Sequence, residues 1–113
     1  MKIQVNTDKN VEGSAALSER TEADLASALT RFKDRLTRVE VHLRNESAGR
    51  TTGDDVRCLI EARPAGMDPV AVTHHAATLD EALRGATDKL EALLTSKFER
   101  GEGKETRETI RGR

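Results

Sequence analysis

Aromatic side chains are nearly absent from this chain: there are two phenylalanines, no tyrosine and no tryptophan. Phe32 and Phe98 both fall on apolar helix stripes, so recognition of single-stranded RNA by stacking bases on exposed rings is excluded in practice. Cysteine is equally scarce. Cys58 stands alone, which rules out an internal disulfide and leaves a cysteine-based zinc site without its ligands. No apolar run approaches the roughly 18 residues of a membrane helix, and the opening Met1-Lys2-Ile3-Gln4-Val5 lacks the apolar core of a secretory signal. The reading is a cytoplasmic protein with no membrane partner. Neither sign of charge prevails, since 19 Lys and Arg stand against 20 Asp and Glu for a net of −1. Any basic surface must therefore be local. There is no phosphate-binding P-loop and no dinucleotide fingerprint.

What is present suits one small domain: 113 residues, 35% of them apolar, suffice for a single modest core. Thr78 to Phe98 carries the clearest helix signal, with Leu79, Leu83, Ala86, Leu90, Leu93, Leu94 and Phe98 recurring at three- and four-residue spacing. Thr78-x-x-Glu81 reads as a capping box at its start. KIQVNT, residues 2–7, alternates as a half-buried strand, and the turn-rich segment 8–14 leads into a first helix that ends near Lys33. On that helix Leu17, Thr21, Leu25, Ala28, Leu29 and Phe32 share a face.

RVEVHL returns to period two, with Val39, Val41 and Leu43 pointing inward and Arg38, Glu40, His42 and Arg44 outward. Residues 45–55, with two glycines and no large apolar side chain, form an exposed hairpin loop longer than the two-residue type. Val56, Cys58, Ile60 and Ala62 face inward in a third strand, Pro64-Ala65-Gly66 turns, and Pro69 opens a fourth strand with Val70 and Val72 inside. The order β-α-β-β-β-α predicts an α+β fold: a four-stranded mixed sheet with both helices packed on one face, strands one and two parallel. Residues 1–99 make the domain, and 100–113, charged and glycine-bearing, make a disordered tail.

The chemistry-bearing residues point away from an enzyme. His74 and His75 are strand neighbours facing opposite sides, Cys58 faces the core, and Asp54-Asp55 reads as loop solvation, so no metal site, cofactor or acid/base pair is expected. The outward sheet face carries Lys2, Arg38, Arg44, Arg57 and Arg63 against Glu40 and Glu61, a pattern read first as cross-strand ion pairs, with phosphate contact the alternative.

The segment around Asp88-Lys89-Leu90-Glu91, the opening IQVNTDKNVEGS, the strand RVEVHL and the stretch RCLIEARPAGMDPVAVTHHAATLDEAL together resemble the ribosome hibernation promoting factors, also called ribosome-associated translation inhibitors or ribosomal subunit interface proteins. The resemblance spans about residues 1–98 in the family's order, and with only a tail beyond, the chain is similar to the short members. It implies a translation inhibitor that binds the 30S subunit or 70S ribosome through 16S rRNA, in the mRNA and tRNA channel, under stress or in stationary phase, and is a monomer when free. The family grips RNA with basic side chains on its two helices, which makes Arg20, Arg84, Lys89, Lys97 and Arg100 the RNA-binding candidates. The carry-over is partial: Ala92, Thr95, Ser96 and Asp24 stand where the family favours basic residues. A protein-interaction module that keeps the fold with weakened RNA binding is the alternative.

Overall fold

The chain, seen here as a computed structural model, is described over residues 1–8, 15–46 and 56–111, with side chains described as far as Glu99. Its elements are β1 (Lys2–Thr7), α1 (Ala15–Ala28), a short 3-10 turn (Thr30–Phe32), β2 (Leu36–Asn45), β3 (Val56–Pro64), β4 (Val70–Ala76) and α2 (Leu79–Arg111). The strands form one sheet in the order β1-β2-β3-β4, parallel between β1 and β2 and antiparallel thereafter. This is the expected β-α-β-β-β-α mixed sheet. The cap and loop segments expected at 9–14 and 47–55 lie outside the described residues.

Strand alternation places the core. Val39, Val41 and Leu43 of β2 and Val56, Cys58, Ile60 and Ala62 of β3 are all buried on the face that both helices cover. α1 lies against β1, and α2 lies against β3 and β4. Thr37 interrupts the β2–β3 register, and its hydroxyl donates to the Arg63 carbonyl at 2.9 Å. That bulge lets Leu36 and Val39, three residues apart, both face inward. Gly66, third residue of the Pro64–Met67 turn, has φ of 74°, a conformation glycine adopts without the Cβ penalty.

The first helix is shorter than its apolar spacing predicts. The α-helix ends at Ala28, and the chain tightens into the 3-10 turn, closed by a bond from the Phe32 N–H to the Leu29 carbonyl at 2.9 Å. Tightening carries Phe32 into the core beside Phe98, with ring centroids 5.7 Å apart. On α2 the buried series is Ala82, Ala86, Leu90, Leu94 and Phe98, while Leu79 and Leu83 are only half-buried. Beyond Phe98, where the sequence predicts a disordered tail, the backbone of α2 continues to Arg111. Glu, Lys and Arg favour helix wherever the two glycines allow it. Residues 112–113 and the side chains from Arg100 on lie outside the described residues.

Candidate nucleic-acid interface

Thr78 starts α2 as the capping pattern requires, because its Oγ1 accepts the Glu81 N–H at 3.1 Å. The Glu81 carboxylate accepts from the Thr78 hydroxyl at 3.0 Å, so the reciprocal contact is made to the side chain. The cap fixes where α2 begins, and the buried face Ala82, Ala86, Leu90, Leu94 and Phe98 sets its rotation and with it the positions of the basic candidates.

The helices do not bring those candidates into one patch. Arg84 and Lys89 are five residues apart, about 140° around the helix. Arg84 is exposed beside the groove between α1 and α2, a groove that Arg20 also lines. Lys89 lies on the other flank, where its Nζ donates to the Thr73 carbonyl of edge strand β4 at 2.9 Å. Lys97 is half-buried, and Arg100 carries only its backbone in the described residues. Arg20 is engaged as well, its Nη2 lying 2.6 Å from Asp80 Oδ1. The side chains of that pair are 59% and 71% exposed, so the bridge contributes little to stability.

The groove itself is acidic on balance. Asp24, Asp80, Asp88 and Glu91 line it against Arg20 and Arg84. Asp24, which stands where the family favours lysine, thus adds to a local negative field. Thr95, which stands where the family favours a basic residue, is half-buried and accepts a hydrogen bond from Arg31 Nη2 at 2.5 Å.

A basic cluster that the sequence reading passed over sits at the corner leading into β2. The Arg31 guanidinium lies 4.6 Å from the Phe32 ring centroid, and that of Arg35 lies 3.9 Å from the Phe98 centroid. Both residues are exposed, with Lys33 between them and Lys97 one residue from Phe98. The TRFKDR run carried the signal, but only the Phe32–Phe98 contact shows that it sits beside the end of the α2 stripe.

The outer sheet face organises its charges by register. Arg38 bonds Glu40 Oε1 through Nε at 3.1 Å and through Nη2 at 2.7 Å, and also reaches Gln4. Arg44 stands opposite Arg57, and Glu40 opposite Glu61. His75 pairs with Glu46 at 3.4 Å. On the other face the His74 ring rests so close to Gly85 of α2 that a Cβ there would overlap it. Burial pushes the Cys58 thiol up to about 12, which makes it a small core hydrophobe.

Residues 4–101 match the family described as sigma 54 modulation protein / S30EA ribosomal protein. The chain belongs to that family, whose members are ribosome-associated. The N-terminal domain of Protein Y from Thermus thermophilus is similar at 28% identity and TM-score 0.65, over 82% of this chain and 94% of that one. A ribosomal subunit interface protein from Coxiella burnetii, 19% identical, shares the fold with TM-score 0.62 over 86% of this chain and 97% of that one. No curated protein gives a significant match. Among the described residues no helix is long and apolar enough to cross a membrane.

Proposed function

We propose that this protein is a cytoplasmic ribosome-associated translation inhibitor: it binds the small subunit through 16S rRNA in the mRNA and tRNA channel and so promotes hibernation of 30S or 70S particles under stress or in stationary phase. The observation that carries this reading is family membership over residues 4–101. Similarity across nearly the whole N-terminal domain of Protein Y supports it. The chemistry is positional. Cationic side chains meet phosphates of structured RNA, so affinity falls steeply with salt. Arg20, Arg84, Lys89, Lys97 and Arg100 are the proposed contacts, joined by Arg31 and Arg35 at the aromatic corner. The free protein is a monomer in this reading.

A second reading follows from one observation, the acid-lined groove between the helices. A domain that kept the fold and lost RNA affinity would dock another protein there. Sedimentation of a stationary-phase lysate through sucrose separates the two. Co-migration with 30S or 70S particles is the expected result, and recovery only at the top of the gradient sinks the first reading. Titration of purified 30S subunits at several salt concentrations then places the surface. Asp24→Lys with Ala92→Arg is expected to tighten binding and to steepen log affinity against log salt by about one for each new phosphate contact, and Lys89→Glu to weaken it. If all three proteins bind alike, RNA is not met by the helices.

A further inference from the structure

The outer face of the sheet holds a donor set that the ribosome reading does not use. Glu40 and His42, two residues apart on β2, project from the same side, and the β2–β3 register sets Glu61 directly opposite Glu40. One ligand atom from each of Glu40, His42 and Glu61 lies within 4.8 Å of the others. We propose that these three side chains bind a divalent transition-metal ion of the zinc type, with the remaining coordination position open to water on the exposed face.

Three observations beyond proximity carry this. First, His42 Nε2 is shielded from solvent and has no hydrogen-bond partner, although the side chain as a whole is 37% exposed. A sheltered imidazole nitrogen without a partner is a group that a metal would satisfy. The carboxylate oxygen that faces it, Glu40 Oε2, stays 3.9 Å away. Second, Glu40 and Glu61 are like charges on directly opposed positions, an arrangement that destabilises a sheet unless a cation intervenes. Of the two carboxylates Arg38 bonds Glu40 alone, and Glu61 has no ion pair among the described residues. Third, Arg38 grips Oε1 of Glu40 through two nitrogens and leaves Oε2 facing His42. That is how an outer-shell partner orients a ligating carboxylate.

The donor types select the ion. An imidazole with two carboxylates suits zinc and its transition-metal neighbours, whereas magnesium and calcium favour all-oxygen sites. Ligand atoms around a tetrahedral zinc at about 2.0–2.2 Å sit roughly 3.3–3.6 Å apart, so the three side chains need only rotamer adjustments to close on it. Cys58, buried on the other face, cannot take part.

The test is calorimetric titration of the metal-free full chain with zinc chloride, paired with thermal unfolding. One saturable equivalent and a rise in Tm are expected for the parent. His42→Ala and Glu61→Gln should each weaken binding by at least about tenfold, and Arg38→Gln by about tenfold through loss of orientation. His75→Ala, on the same face but paired with Glu46, should bind zinc as the parent does. Without metal, Glu61→Gln should melt no lower than the parent, since it removes a like-charge pair, yet gain nothing from zinc. That opposition separates ligation from a merely structural role. Absence of a saturable equivalent, unchanged binding in His42→Ala, an equal loss in His75→Ala, or magnesium binding as tightly as zinc would overturn the proposal.

Discussion

Leu90→Ala tests the packing of α2 most directly. Leu90 is fully buried, midway along the series Ala82, Ala86, Leu90, Leu94, Phe98. The substitution removes three carbons, and at about 0.8 kcal/mol for each methylene-sized group the lost transfer free energy is about 2.4 kcal/mol. The strands beneath α2 supply β-branched Val56 and Ile60 of β3 and Val72 of β4, whose stiff side chains cannot collapse into the gap. A residual cavity of roughly 60 Å³ adds about 1.5 kcal/mol, so the whole effect is about 4 kcal/mol. With unfolding entropy near 2.1 cal/mol/K per residue over a domain of about 100 residues, that lowers Tm by about 20 °C. Thr95→Ala is the control: it loses only the exposed bond from Arg31, at most about 1 kcal/mol. Circular dichroism melts of the three proteins decide the matter. Equal shifts for the two variants, or a loss below about 1.5 kcal/mol for Leu90→Ala, would show that α2 does not present this face to the sheet.

Three other outcomes are expected. Thr78→Ala, which leaves the Glu81 N–H without its acceptor, should cost about 1 kcal/mol in urea unfolding with an unchanged m-value. Truncation after Gly101 should leave Tm unchanged, since Phe98 is the last core residue among those described, and a large drop would show that the tail is docked. Cys58 titrates near 12 in the folded state against 9.0 unfolded, so its protonation contributes stability fully present below pH 9. That stability should fall by about 1.4 kcal/mol per pH unit as pH rises from about 9 to about 12, and native protein at pH 8 should resist thiol reagents until unfolded.

Much of the fold was legible because its signals are local. Period-two alternation assigned Val39, Val41, Leu43, Val56, Cys58, Ile60 and Ala62 inward, and all seven are buried. The helix stripe was less sharply drawn. Ala82 is buried and was passed over, and Leu83 was included although half-buried, because residues four apart drift about 40° around the helix at each step. The α1–α2 groove was not legible at all, since the Arg20–Asp80 pair joins residues 60 apart and depends on the helices' relative rotation. Register was the other missing quantity. Glu40, His42 and Glu61 were each correctly turned outward, but with a connection longer than a tight two-residue turn nothing local fixes Glu40 opposite Glu61.

For ribosome binding through the helices, the more telling comparison is between Arg20 and its partner. The Arg20–Asp80 bridge is open to water on both sides, so exchanging the carboxylate for a phosphate costs little. What remains after exchange is Asp80 itself, a fixed negative charge beside the incoming backbone, with Asp24, Asp88 and Glu91 lining the same groove. Each carboxylate within a Debye length of about 8 Å from a phosphate opposes binding by up to about 1 kcal/mol, and less as salt is added. Asp80→Asn should therefore tighten 30S binding severalfold at low salt and lose most of that advantage at high salt. Arg20→Gln should weaken binding by less than Asp80→Asn strengthens it. If Asp80→Asn weakens binding as much as Arg20→Gln does, Asp80 acts by holding Arg20 in position, and the acidic groove does not limit affinity.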